Sequence, residues 1–272
     1  INLPTRASAT GGTYQLKAGT VMSGTLKNFN SNTNFSYDLT WGFGNFNKTL
    51  ASKIKSNTWR YTLTQEDVDT MLKIIYSAKD GWGQVYLTSY YNGTQFGARM
   101  GGDKTTMQVI ESEAKPTLNG SATFLDSNSA TVAITGDDQV TIQGLSKLSV
   151  TTPSNYATAR GQADLKTITV SHGGVSTSAT YVAGGQTLTL TPPTSLSANT
   201  LVVTVTDSRG YSVSQTLSVP IYAYSIPKVN FTVLRKSNFL TSSDLTLATT
   251  WSPINIGGIN KNGILKATYE IR

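Results

Sequence analysis

Hydrophobic positions in this chain recur mostly with a period of two. In Phe35-Ser36-Tyr37-Asp38-Leu39-Thr40-Trp41 the rings and the leucine share one parity, the pattern of a half-buried strand. Tyr14, Leu16 and then Val21-Met22 read as earlier strands, and Thr105 to Glu111 as a later one. The run from Val85 to Gly97 reads as strand-turn-strand, with Asn92-Gly93 supplying the positive φ angles of a tight hairpin. Within it Tyr86 and Tyr90 share one parity, Leu87 and Tyr91 the other, and the first pair is expected in the core. Between Thr64 and Ala78 the period changes. Thr64 is a candidate N-cap, Glu66, Asp67 and Asp69 crowd the first turn, and Val68, Met71, Leu72 and Ile75 recur at helical spacing. Lys73 and Lys79 suit the far end and Asp80-Gly81 stops the run, which predicts one short helix near 65–79.

Pro116, in the polar stretch Glu113-Ala114-Lys115-Pro116-Thr117, marks a boundary. Beyond it Ala122–Leu125, Ala130–Thr135, Lys147–Thr151, Leu165–Val170, Ala179–Val182, Thr187–Thr191, Leu201–Thr206 and Ser212–Val219 alternate with turn residues. About eight short strands in about 100 residues is the signature of an immunoglobulin-like sandwich, here without the Cys-Trp-Cys hallmark. Asp207-Ser208-Arg209-Gly210 joins the last two strands as a turn. Val229 to Arg235 and Leu265 to Ile271 alternate again, but roughly 50 residues bury too little surface for an independent sandwich. The expected fold is therefore all-β: tandem antiparallel, Ig-like β-sandwiches with one short helix. The expected domains are residues 1–116, residues 117–221, and residues 222–272 as the opening of a third β domain that the sequence breaks off inside.

Composition narrows the chemistry. Charged residues make up 14% of the 272, against a usual quarter or so, and Ser, Thr, Asn and Gly fill the gap. No stretch reaches the roughly 20 apolar residues of a membrane-spanning helix, so no membrane insertion is expected. The chain opens at Ile1 without a signal-peptide pattern, and it reads as a piece of a longer protein. Cysteine is absent and His172 is the single histidine, which removes thiolate chemistry, disulfides and multi-histidine metal sites. Lys and Arg outnumber Asp and Glu by 12 to 8 in residues 1–116 and by 6 to 2 in 220–272, whereas 117–219 carry 4 against 5. Basic ends suit an anionic partner, but no nucleic-acid-binding signature accompanies them and none is expected to be bound.

Three segments carry a family resemblance. They are the Val85–Gly97 hairpin with its following Thr-rich strand and Pro-ended linker, Val203-Thr204-Val205-Thr206-Asp207-Ser208-Arg209-Gly210-Tyr211, and a C-terminal set. That set runs from Pro227-Lys228-Val229 through Arg235-Lys236-Ser237-Asn238 and Ser252-Pro253-Ile254 to Asn260-Lys261-Asn262-Gly263. In this order they resemble the tail-tip minor structural proteins of siphoviruses infecting streptococci and related Gram-positive bacteria. The resemblance implies a virion component in the phage tail that acts outside the cell at the host surface. It implies adhesion to cell-wall polysaccharide, contacts with other tail proteins, and a homo-oligomer, trimeric in many tails. It implies no enzyme and no cofactor.

Candidate binding residues are aromatic. Exposed Trp and Tyr rings stack on the apolar faces of sugars while neighbouring amides and hydroxyls hold the sugar hydroxyls. Trp82 lies between two glycines that leave its ring standing free, and Tyr91 adjoins the Asn92-Gly93 turn. Trp41-Gly42-Phe43-Gly44-Asn45-Phe46 reads as a loose, Gly-spaced aromatic loop. The ligand surface is thus assigned to Trp82, Tyr91, Asn92, Trp41, Phe43 and Phe46, against the alternative that Trp41 and Trp59 are simply core. No catalytic or metal-binding residue is assigned. Asp137-Asp138 with Asp126 or Asp164 lacks calcium-loop spacing and reads as a solvated turn. His172 before Gly173-Gly174 reads as a surface histidine, with no nucleophile elbow to serve. Two rivals to adhesion stay open at this point, an Ig-like spacer whose binding function lies further along the protein and a cell-wall depolymerase.

Overall fold

The computed structural model describes residues 6–196, 199–237, 241–266 and 268. They fall into two compact units that do not follow chain order: the first takes in residues 1–118, 157–166 and 205–213, the second 119–156, 167–204 and 214–272.

In the first unit the chain runs β1 (Ser8–Ala9), β2 (Thr13–Leu16), β3 (Val21–Lys27), β4 (Phe35–Phe43), β5 (Phe46–Ile54), β6 (Thr58–Thr62), α1 (Gln65–Ile74), β7 (Asp80–Tyr91), β8 (Thr94–Gln95), β9 (Met100–Val109), α2 (Glu111–Ala114) and β10 (Thr117–Leu118). One sheet has the order β2-β9-β7-β4-β5, with β8 turning back on β7 as the expected Asn-Gly hairpin (φ 49° at Asn92, 79° at Gly93). A smaller sheet has the order β1-β3-β6. Pairing is antiparallel except for β2 on β9. Alternation decides what each sheet buries: Tyr37, Leu39, Trp41 and Phe43 from β4 and Val85 and Leu87 from β7 point inward. Met22 and Leu26 from β3 and Trp59 from β6 join them in one core. The odd positions of β7 face that core, so Tyr86 and Tyr90 lie on the other face, half-exposed, contrary to the sequence expectation. They are covered instead by cations, Arg99 over Tyr86 at 4.0 Å and Lys53 against Tyr90.

Helix α1 starts where its cap predicts. Thr64 Oγ1 accepts from the Asp67 amide at 3.2 Å and Asp67 Oδ2 accepts from the Thr64 amide at 2.9 Å, closing a capping box. Val68, Met71, Leu72 and Ile75 are buried, as their spacing requires. Asp67 is itself buried at 1% exposure, and its carboxylate also accepts from the Tyr61 hydroxyl at 2.6 Å and faces Lys48 Nζ at 2.8 Å. Burial alone would raise the Asp67 carboxyl, but the bonds from Lys48, Tyr61 and Thr64 outweigh it and hold the group below its ordinary value of 3.8. A carboxyl lowered on folding contributes stability above its unfolded value, and that contribution disappears as pH falls through the folded value. Asp67→Asn is therefore expected to destabilise the protein at pH 7, and the gap from wild type in urea midpoint is expected to shrink below about pH 3.8. A gap independent of pH would refute the ionic role.

In the second unit, with the segments it shares, the chain continues as β11 (Thr123–Asp126), α3 (Ser129–Thr135), β12 (Thr141–Ile142), β13 (Leu148–Thr152), β14 (Ala157–Thr158), β15 (Leu165–His172), β16 (Val175–Thr180), β17 (Gln186–Thr189), β18 (Thr200–Asp207), β19 (Ser212–Ser218), β20 (Ile221–Tyr222), β21 (Lys228–Arg235), β22 (Ser243–Thr250), β23 (Asn255–Ile256) and β24 (Ile259–Asn260). Two sheets, β11-β13-β17 and β16-β15-β18-β19, give the three-plus-four strand division of an immunoglobulin-like sandwich. One face of each is buried, through Leu148, Val150 and Leu188 on the first and Ile168, Val170, Leu201 and Val203 on the second. Ala130–Thr135, expected as a strand, is helix α3: Asn128 Oδ1 caps the Ala130 amide at 3.1 Å, and Gly136 ends the helix at φ 70°. With α2, the described residues thus hold three helices rather than one. His172 is not a surface residue. It is 2% exposed, with Nδ1 3.1 Å from the Thr200 carbonyl oxygen and Nε2 3.3 Å from Thr141 Oγ1. Burial pushes its imidazole below the usual value, partly offset by the Thr200 bond.

Among the described residues the strands β21 and β22 pair only with each other, and all eight residues of β21 are exposed. Val229, Phe231 and Val233 share one face with Leu245 and Leu247 opposite them or nearby. The expected strand at Leu265–Ile271 is not regular at Leu265, Lys266 and Thr268, and its remaining residues lie outside the described ones.

Candidate functional site

Three glycines and one cross-strand row build a cleft on the outer face of the larger sheet. Gly42 of β4 is paired with Asn47 on one side and Gln84 on the other, and Gln84 is paired with Lys104 of β9. Side chains of one row point the same way, so Asn47, Gln84 and Lys104 stand abreast with a gap where Gly42 has none. Two strand spacings separate Asn47 from Gln84, about 10 Å. Beneath the gap lies the Tyr86 ring, against which a β-carbon on Gly42 would sit 3.0 Å away.

The same alternation places Trp82. Gly81 and Gly83 face inward, where a β-carbon would lie 2.5 Å from Phe43 Cζ or 2.4 Å from the Gly42 carbonyl oxygen. With no side chain tolerated on that face, the backbone packs close and the intervening ring is turned out, 64% exposed. An irregular register between Gln84 and Tyr86 against β9 adjusts the facing strand at this point. The resulting cleft encloses about 620 Å³, and Tyr76, Asp80, Gln84 and Arg99 line it with Trp82 and Tyr86. Gln84 Nε2 donates to the Gly102 carbonyl at 2.7 Å, which fixes the amide with its oxygen turned away from that bond. Arg99 donates to Thr40 Oγ1 at 2.7 Å and holds its guanidinium carbon 4.0 Å from the Tyr86 ring centre, while Lys104 Nζ is 5.0 Å from the Trp82 ring centre. Among the described residues neither cation forms an ion pair. An aromatic platform beside fixed amides and planar donors is suited to binding a polyhydroxylated ring.

The sequence-assigned residues are only partly brought together. Trp82 is at the cleft, and Phe43 contributes to its lining from beneath but is 3% exposed. Trp41 is wholly buried, with its ring edge-on to Phe43 at 5.8 Å and Phe46 at 5.9 Å. Neither Trp41 nor Phe43 offers a ligand surface, because the odd positions of β4 face the core. Trp41–Phe46 is no loose loop: it is the end of β4, a two-residue turn with Gly44 at φ 58°, and the start of β5. Phe46 is half-buried and borders a second depression with Asn45, Lys73, Tyr76 and Gln162. Tyr91 and Asn92 are exposed but stand nine residues along β7 from Trp82, about 30 Å at strand rise, where Tyr91 packs on Phe35 at 5.1 Å. The two ends of β7 are thus separate places. Sequence reasoning missed Asn47, Tyr76, Gln84, Tyr86, Arg99 and Lys104. The inward glycines at 81 and 83 fix the parity of β7, and applied to Gln84 and Tyr86 they would have revealed two of these.

Residues 8–272 match the family described as "Siphovirus protein of unknown function (DUF859)", and the chain belongs to that family. No curated protein matches it. Among solved structures it is similar to Drosophila OTK extracellular domains 3–5, at 13% identity over 89% of this chain and 74% of that one, TM-score 0.27. It is also similar to Dpr11 IG1 bound to DIP-gamma IG+IG2, at 11% identity over 80% of this chain and 99% of that one, TM-score 0.34.

Proposed function

We propose that this siphovirus protein is a non-enzymatic structural component of the phage tail tip that adheres to cell-wall polysaccharide of a streptococcal or related Gram-positive host through the Trp82 cleft. The observation that carries the reading is the Trp82 ring, 64% exposed over a cleft floored by Tyr86 and edged by Asn47 and Gln84. Among the described residues Asp80 is the single carboxylate lining that cleft, whereas glycoside hydrolysis ordinarily calls on two, which favours binding over cleavage. Each site is expected to be weak, and several copies on one virion gain effective affinity from tethering. Trp82→Ala is expected to weaken binding of purified host-wall polysaccharide by about 30-fold, in line with loss of an aromatic anchor worth about 2 kcal/mol. The thermal midpoint should not move, because the ring is mostly in solvent. Unchanged affinity in titration calorimetry would remove the cleft from the account, and absence of binding by the wild type would remove adhesion.

A second reading, assembly through copies of this chain, draws on the ribbon β21–β22. Its apolar stripe has no charge between Lys228 and Arg235 on β21, so like faces are self-complementary, and a lone two-stranded ribbon is marginal in water. Light scattering showing a concentration-dependent oligomer that Phe231→Ser abolishes would favour this reading. A monomer at all concentrations would end it.

A further inference from the structure

We propose that the Trp82 cleft selects acidic saccharides, those bearing a carboxylate or a phosphodiester, over neutral ones. The inference rests on the saccharide reading above and adds the charge of the ligand. One cation lines the cleft, Arg99 over Tyr86 at 4.0 Å, and a second, Lys104, borders it through its place over Trp82 at 5.0 Å. The other lysines on the strands of this sheet, both on β5, each have a carboxylate: Lys48 has Asp67 at 2.8 Å and Lys53 has Asp38 at 3.5 Å. Arg99 and Lys104 have none among the described residues, and the rings and Thr40 hold them in place instead. Only one guanidinium nitrogen of Arg99 is used by Thr40, so its remaining N–H groups are the natural partners of an oxyanion, which a planar fork binds in a bidentate manner.

The acidic group of the cleft is set apart from them. Asp80 precedes Trp82 by two residues on β7, about 7 Å along the strand, whereas Lys104 and Arg99 are on the side of Gln84 and Tyr86. A sugar stacked on Trp82 would thus meet positive charge toward Tyr86 and negative charge at the opposite end. Such an arrangement orients a ring carrying one anionic substituent and gives no corresponding advantage to a neutral ring.

The test uses the full chain and three oligosaccharides of equal length: one containing uronic acid, one carrying glycerol phosphate, and one neutral. Calorimetry at low and physiological salt is expected to show at least one acidic oligosaccharide bound about tenfold or more tightly than the neutral one, with the preference falling as salt rises. The tighter of the two acidic arms identifies the source of the anion. Arg99→Gln and Lys104→Gln are each expected to reduce the acidic-to-neutral ratio several-fold, and Lys115→Gln, an exposed cation outside the cleft, to leave it unchanged. Equal affinity for neutral and acidic ligands would overturn this inference while leaving the saccharide reading standing. An equal loss of preference in Lys115→Gln would overturn it as well, by reducing it to net charge. No binding of any of the three, together with none of wall polysaccharide, would overturn both.

Discussion

Arg209→Ala is expected to lower the stability of the first unit by about 3–5 kcal/mol, a fall in thermal midpoint on the order of 10 °C. The Arg209 side chain is wholly buried, and its guanidinium donates to the carbonyls of Ile75 at 2.6 Å, Leu72 at 2.6 Å and Arg160 at 2.9 Å. Two of those carbonyls, at Leu72 and Ile75, belong to the last turn of α1 and its cap, where a helix has no internal donors left. Asp207, equally buried, pairs with the same guanidinium at 3.4 Å and accepts from the Arg209 and Tyr211 amides at 2.9 Å each. Truncation would strand a buried carboxylate and three acceptors together, and an unmade buried bond costs more than a made one contributes. Arg209→Lys should recover little, since a single ammonium cannot span three carbonyls set by a planar fork. A midpoint within 2 °C of wild type for the alanine variant would contradict this role.

Trp41→Ala is expected to cost a similar 3–5 kcal/mol by emptying the centre of the first core, whereas Trp41→Phe should cost much less. The reason for the difference is volume, because both substitutions remove the indole N–H and only phenylalanine keeps a ring in the core. Trp41 Nε1 is buried without a hydrogen-bond partner, so the wild type already bears the penalty of an unmet donor, about 1–3 kcal/mol. Phenylalanine removes that donor along with some volume, and the two effects oppose each other. Chemical denaturation of both variants checks the pair; a phenylalanine variant as unstable as the alanine one would contradict the view that ring volume governs the site. Since Gly83 packs its backbone against Trp41 Nε1, the alanine variant should also loosen the strand that carries Trp82.

Period and capping made much of the fold legible before any coordinates. Phe35 to Trp41 alternates and is strand β4; Thr64 and Asp67 form the cap their spacing suggests; Asn92-Gly93 makes its turn. What misled was parity where both faces carry rings. In β7 the tyrosines at 86 and 90 are as many as the aliphatics at 85 and 87, yet Val85 and Leu87 are buried while cations and the gap at Gly42 accommodate the tyrosine face. At Ala130–Thr135 the apolar β-branched residues suggested a strand, but Asn128 and Gly136 bracket a helix, and the caps prevailed over propensity. The candidate site was legible only in Trp82. Its companions come from four strands and the segment after α1, and their meeting depends on the pairing of Gly42 with Asn47 and Gln84, a long-range register that no local pattern encodes.

The first unit is assembled from three stretches of sequence, the last ending at residue 213. The shortest uninterrupted piece of gene that encodes all of it therefore also encodes most of the segments of its neighbour. A crossover near Pro116, where the sequence invites a cut, would deliver a recombinant lacking the Arg209 that its helix requires. Exchange of the first unit between related siphovirus genes would then have to move residues 1–213 as one block of inheritance, carrying two of the three segments of its neighbour with it.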